Sequence, residues 1–307
     1  MNKKFTKIIS VILSVVMLIS VCVISVSAAE SGDYYYTQGD YTIHYTVYAA
    51  EGESKGNILF MHGFLYSGST WNGVAEIMSS EGYDCYLVDL PNYGESTREN
   101  GDTEIIEREE LMVGLMESVA SLDQWIVAGH SMGGGIALNI ACDHPEIQAL
   151  LLYCPSEINM VQSNFLTSIT TNTLLMNGFQ KIFNAILSMK FIVKLAVYLV
   201  TKDWSYAKNY DTDVLTEPLK QGGTFMGMMY SSMIARNTDL EAASSLDMPI
   251  MLMWAEDDNV LSSSNVSNIA NALTNAEVNT VAGGHIVIET DPETVAGITV
   301  DFLSQLA

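Results

Sequence analysis

Short apolar runs alternate with longer amphipathic stretches along most of this chain. Runs at Tyr41–Tyr48, Asn57–Met61, Cys85–Leu90, Trp125–Ala128 and Ala149–Cys154 have strand length, and the later ones are continuously apolar. Strands apolar on both faces and separated by helical segments predict a parallel sheet covered on both sides. One such segment, Glu104 to Leu122, puts Ile105, Met112, Leu115, Met116 and Val119 on one face and Glu104, Glu107, Arg108 and Glu117 largely elsewhere. It predicts an amphipathic helix with acids in its first turn. From Ser156 to Arg236 the alternation disappears into helical, Met-rich sequence. The sheet pattern resumes at Pro249–Ala255 and Glu277–Ala282, and Asp291-Pro292-Glu293 supplies an N-cap acid and a proline at N1 for a last helix to Leu306. The expected architecture is α/β, a mostly parallel sheet with helices on both faces. Its core comes from residues 30–155 and 237–307, with 156–236 inserted as a helical cap.

The first thirty residues depart from this pattern. Lys3, Lys4 and Lys7 precede an uncharged apolar run from Ile8 to Val26, which ends in the small residues Ser27, Ala28 and Ala29. This predicts an export signal over residues 1–29, cleaved after Ala28 or Ala29, and a secreted protein. The run exceeds the usual signal core of roughly 7 to 15 residues and reaches the length of a spanning helix, so an uncleaved membrane anchor is the alternative.

Composition narrows the classes further. With 49% apolar and 16% charged residues in 307, the chain is neither disordered nor fibrous. Thirteen Lys and Arg against 36 Asp and Glu give a net charge of −23, a field that repels phosphate backbones and argues against a nucleic-acid partner. Removing residues 1–29 takes three lysines and no acid, leaving 10 minus 36, or −26. Of the four cysteines, Cys22 lies in the signal; Cys85 and Cys154 sit in apolar runs as small hydrophobes, and no disulfide framework is implied.

The chemistry concentrates in a few places. Trp125 to Ala128 leads into Gly129-His130-Ser131-Met132-Gly133, a strand, a G-x-S-x-G turn and a helix start. A serine forced into so sharp a turn needs glycine two positions before and after it, because a Cβ there would collide with the neighbouring strand or helix. The Met132 N–H at the helix start can stabilise an oxyanion. His62-Gly63-Phe64 follows the strand Asn57–Met61, and the Phe64 N–H is the expected second donor. His62, His44, His130 and His144 read as packing or surface residues, whereas His285 alone follows a Gly-Gly turn after a late strand. Neither metal-ligand spacing of histidines nor a phosphate-binding loop occurs, so no metal or cofactor is expected.

From about Tyr34 onward the chain resembles the α/β-hydrolase superfamily. The resemblance rests on His62-Gly63-Phe64, Asp89-Leu90-Pro91-Asn92-Tyr93-Gly94-Glu95-Ser96, Gly129-His130-Ser131-Met132-Gly133-Gly134, Trp254-Ala255-Glu256-Asp257-Asp258 and Gly283-Gly284-His285, in that order. Asn92 and Ala255 stand where the family often has glycine, and Asn is the best non-glycine residue at positive φ. The resemblance implies a Ser131, Asp258 and His285 triad without cofactor. It also implies a serine hydrolase acting on a small-molecule carboxylic ester through an acyl-enzyme. A C–C hydrolase or acyltransferase on the same triad, and a ligand-binding protein without turnover, are the alternatives. The cap methionines, Met160, Met176, Met189, Met226, Met228 and Met229, either line an acyl pocket, with Met228 and Met229 as candidate substrate contacts, or form the cap's own core.

Overall fold

The computed structural model describes residues 29–159 and 172–306. Eight strands form one sheet: β1 (Gly32–Gln38), β2 (Tyr41–Tyr48), β3 (Asn57–Met61), β4 (Asp84–Val88), β5 (Trp125–His130), β6 (Ala149–Tyr153), β7 (Ile250–Ala255) and β8 (Glu277–Val281). Their order is β1-β2-β4-β3-β5-β6-β7-β8. Strands β3 to β8 run parallel, while β2 is antiparallel to both β1 and β4. The mostly parallel α/β sheet expected from the apolar runs is therefore present.

Alternation along the central strands explains why both faces are covered. Leu59, Met61, Val127, Leu150, Leu152 and Leu252 face one core with α2 (Arg108–Val119) and α3 (Met132–Asp143). Ile58, Phe60, Ile126, Ala128, Leu151, Met251 and Met253 face the other, with α1 (Asn72–Ser80) and α12 (Pro292–Ser304). Period-2 alternation sends successive apolar side chains to opposite faces, so two cores need unbroken apolar runs. The last helix starts as expected, with Asp291 Oδ1 accepting the Thr294 N–H at 3.3 Å and Pro292 at its first position.

Two expectations need correction. The helix after β4 spans Arg108–Val119, not residues 104–122; Ile105 lies outside it and is exposed, as is Val119. Arg108, assigned to the outer face, is buried because its guanidinium pairs with the fully buried Glu99. The strand β1 was not anticipated. Its Gly-Asp-Tyr-Tyr-Tyr-Thr-Gln sequence has no aliphatic residue to display the alternation, and a two-residue turn at Gly39-Asp40, with Gly39 at φ 54°, folds it onto β2.

Between β6 and β7 the described residues form α4 (Thr173–Leu187), α5 (Lys190–Thr201), α6 (Trp204–Asn209), α7 (Thr212–Leu219), α8 (Thr224–Ile234) and α9 (Leu240–Ala243). Two helices follow β7: α10 (Ser263–Ala272) and, after β8, the short α11 (Val287–Thr290).

Candidate active site

Parallel strands bring their carboxyl ends to one edge, and the motif residues collect there. Met61 of β3 pairs with Gly129 of β5, so His62-Gly63-Phe64 leaves the sheet beside His130-Ser131. Ser131 stands between β5 and α3 at φ 52° and ψ −117°, its N–H donating to Tyr153 O at 3.1 Å. A non-glycine residue rarely holds such angles unless its surroundings over-determine them. The flanking glycines do so here: a Cβ on Gly129 would run into the backbone of Gly133, and one on Gly133 into the carbonyls of Met61 and His62.

Beyond β7, Asp258 meets His285 from the turn after β8. The His285 Nδ1–H donates to Asp258 Oδ2 at 2.7 Å, and both side chains are buried. The other oxygen, Oδ1, accepts N–H bonds from Val260 at 2.8 Å and Leu261 at 3.2 Å. Burial pushes this carboxyl up, but the His285 bond and charge with the two N–H groups outweigh it and hold it below the usual carboxylate range. Asp257 is exposed, its N–H spent on Gly283 O at 2.9 Å. The Ser131 hydroxyl makes no hydrogen bond among the described residues, so the link from Ser131 to the outer ring nitrogen of His285 is open. Contacts of this kind commonly tighten only around a reacting group.

Two further histidines hold the scaffold around Ser131. His62 donates from Nδ1 to Gly63 O at 2.7 Å and accepts the Leu90 N–H on Nε2 at 3.0 Å, tying the loops after β3 and β4 together. His130 donates from Nε2 to His285 O at 2.8 Å, while its buried Nδ1 has no partner among the described residues. Burial and the nearby His285 ring push His130 down to about 3. At the next loop Asp89 accepts N–H bonds from Gly68 at 2.8 Å and Glu95 at 2.9 Å and binds His44 Nδ1 at 2.8 Å. His44 is therefore an ion-pair partner rather than a surface residue. Asn92 sits at φ 80°, as its place in the motif implied, and its amide also bonds Glu99, from Nδ2 to Oε2 at 2.6 Å.

Phe64 and Met132 line a cavity of about 380 Å³ whose walls include Leu90, Ile136, Met228 and Met229. Neither the Phe64 nor the Met132 N–H is taken up by a carbonyl among the described residues. Of the other cap methionines, Met176 and Met226 are buried away from this cavity and Met189 is exposed; Met160 lies outside the described residues. The cavity lining also carries polar groups. Arg108 donates there to Ser231 Oγ at 2.8 Å, and Glu109 accepts from Asn139 at 2.7 Å, its carboxyl pushed up by burial. Arg108 and Glu109 escaped sequence reasoning because charges on an amphipathic helix are normally solvated.

Cys154 was also missed as a neighbour of the site: its sulfur, an Asp258 carboxylate oxygen and a His285 ring nitrogen lie within 4.8 Å of one another. The donor set suits a metal poorly. Burial pushes the Cys154 thiol up, away from the thiolate a metal needs, and the Asp258 bond already occupies His285 Nδ1. One link was not foreseeable at all, the His285 N–H donating to Val200 O at the end of α5 at 2.9 Å.

The model of the alpha/beta hydrolase fold family matches residues 56–292. The chain belongs to that family. Within the α/β-hydrolases it is similar to the uncharacterized hydrolase YugF of Bacillus subtilis (strain 168), 25% identical over 274 residues, 87% of this chain and 96% of that protein. It is also similar to monoacylglycerol lipase abhd6-B of Xenopus laevis, 24% identical over 284 residues, 89% of this chain and 82% of that one. Among solved structures, the enol-lactonase from Burkholderia xenovorans LB400 superposes with a TM-score of 0.69 at 14% identity, over 88% of this chain and all of that one. A likeness at that identity shows the shared fold. The protein is thus an α/β-hydrolase family hydrolase.

Proposed function

We propose that this hydrolase cleaves carboxylic esters with apolar acyl groups through an acyl-enzyme on Ser131. The observation that carries the reading is a serine at the strained turn after β5, whose neighbour His130 bonds His285 O at 2.8 Å, beside a His285–Asp258 pair bonded at 2.7 Å. In the proposed cycle His285 takes the Ser131 proton as Oγ attacks the ester carbonyl, and Asp258 fixes the tautomer that leaves the outer ring nitrogen free to accept. The Phe64 and Met132 N–H groups donate to the oxyanion. Protonated His285 then releases the alcohol, and a water deprotonated by the same ring hydrolyses the acyl-serine. The apolar cavity beside the two donors supports an acyl chain, and Met228 and Met229 on its wall adapt to irregular shapes. Similarity to a monoacylglycerol lipase supports an ester substrate.

The decisive experiment is labelling with a fluorophosphonate followed by turnover of p-nitrophenyl esters of rising chain length. Labelling at Ser131 with turnover that peaks above acetyl is the expected outcome. Absence of labelling would leave a ligand-binding protein, and acyl transfer to an added alcohol in preference to water would make it an acyltransferase. Secretion is part of the same proposal. It rests on the lysine cluster and small residues around the apolar run of residues 8–26. Protein recovered from the medium should begin at Ala29 or Glu30, whereas an intact run in the membrane fraction would replace secretion by anchoring.

A further inference from the structure

Among the described residues, exposed apolar side chains concentrate on the outer side of α4 and α5. Eleven of the nineteen exposed large hydrophobic side chains among the described residues lie between Leu174 and Trp204. They are ordered: Leu175, Phe179, Ile182 and Ile186 on α4, and Ile192, Leu195 and Leu199 on α5, recur at helical spacings of three and four within each helix, with Met189 exposed at the junction. Phe191 stands out at 69% exposure. The opposite side of the same helices is buried through Met176, Val193 and Val197, so one stripe faces the protein and the other faces outward.

Charge is segregated onto the same segment. Residues 172–209 hold five lysines, at 181, 190, 194, 202 and 208, against the single acid Asp203, in a chain whose net charge is −23. Half of the ten basic residues beyond residue 29 are therefore gathered in this stretch. Lys190 bonds Asp213 at 2.9 Å, while Lys181, Lys202 and Lys208 form no ion pair among the described residues. An outward apolar stripe flanked by lysines with an aromatic at its border is the pattern of a helix lying in a lipid interface, where the lysine stems reach up to the headgroups. The two helices meet at 83°, and among the described residues no single helix is long and apolar enough to cross a membrane.

We propose that the outward face of α4 and α5, bordered by Trp204, is a docking surface for an anionic lipid interface. Charge selects this occupant. A second copy joined face to face would oppose five lysines to five, and the N-terminal run of residues 8–26 is preceded by three lysines of its own. Anionic headgroups complement the face, and they also overcome the repulsion between an acidic protein and such a surface by meeting this basic segment first. The carbonyl of Val200 on α5 holds the His285 N–H, so the docked face belongs to the helix that borders the candidate site. The docking reading does not depend on ester hydrolysis.

Flotation of the full chain with vesicles of phosphatidylcholine, alone or mixed with phosphatidylglycerol, tests it. The wild type should float with the mixed vesicles and much less with phosphatidylcholine alone, and added salt should release it. Phe191→Ser with Leu195→Ser should lower partitioning at least about tenfold, and Lys181→Gln with Lys202→Gln should erase the preference for phosphatidylglycerol. Turnover of a soluble short-chain ester should match wild type in both variants, which shows that they fold. Variants that float like wild type would move the binding to residues 8–26 and overturn the proposal. Equal binding to both vesicle types would overturn it too, as would a dimer that the Phe191→Ser, Leu195→Ser variant dissolves without any vesicle binding. A chain that floats as expected but turns over no ester would sink the esterase reading and leave this one standing.

Discussion

At the carboxyl edge of the sheet His62, His130, His285, Asp89 and Ser131 are all buried, and each histidine ring there is committed to a hydrogen bond. On the outward side of α4 and α5 the reverse holds: large apolar side chains stand in solvent, and Lys181, Lys202 and Lys208 form no ion pair among the described residues, although Lys190 pairs with Asp213. The first region holds fixed groups against the tendency of water to solvate them. The second leaves unmet the very interactions that folding normally satisfies. A change in the first should therefore act on chemistry or stability. A change in the second should act on neither until a lipid surface is present.

The sharpest way to break this contrast is at Ser131 and His285. Ser131→Ala and His285→Ala should each lower ester turnover by about 10⁴ to 10⁶, and the double variant should lose little more, because the two act as a unit. Single-turnover assays of all three variants check this; additive losses would separate the residues. Asp258→Asn should cost about 10⁴ by favouring the wrong tautomer of His285. The exposed Asp257, changed to Asn, should stay within about tenfold. Reversal of that order would transfer the role to Asp257.

Acid should expose the same region. His130 and His62 are held below the ordinary histidine value by burial, His130 at about 3. Below pH of about 6.5 the unfolded chain takes up these protons while the folded chain does not, so their contribution is complete above that pH and falls as the pH drops. His44 acts oppositely: its bond to Asp89 raises it, so its contribution is present below about 6.5 and is lost as pH rises through its folded value. His44 and Glu109, whose carboxyl burial pushes up, oppose these two rings, so the readout is the decline in melting temperature that His130 itself adds between pH 7 and pH 5. His130→Gln, which removes one of the proton-binding rings, should flatten the decline, and thermal melts across that range decide it. The mildest test is Met229→Ser, which should shift the ratio of long- to short-chain ester turnover by about tenfold. An equal effect on both lengths would make Met229 a packing residue.

What could be read beforehand followed from local rules. Continuous apolar runs gave away β3 to β7, since a strand covered on both faces has nowhere to place a charge, and the spacing of Gly129 and Gly133 about Ser131 marked the turn. Asp258 was separable from Asp257 only through the family's spacing from the strand; in the structure Asp258 is the one bonded to His285. The rest required tertiary information. Arg108 and Glu109 look like surface charges until Glu99 and Asn139, at other points in the chain, arrive to pair them. Cys154 sits beside Asp258 only because β6 and β7 are neighbours. The outward stripe of α4 and α5 was equally hidden, because a Met- and Leu-rich helix reads as core until its exposure is known.

The pairing of Leu150 with Ile250 places neighbours in the sheet a hundred residues apart in the chain. Everything between them leaves from one strand end and returns to the start of the adjacent strand. Closing such an excursion costs entropy that grows only with the logarithm of its length, about 0.6 kcal/mol for each doubling. As far as chain closure is concerned, the segment can lengthen or shorten at small thermodynamic cost, provided that the α5 carbonyl that holds the His285 N–H stays in place. The cost falls instead on speed: β6 and β7 can join only after that long loop has closed, and contacts of high sequence separation form slowly.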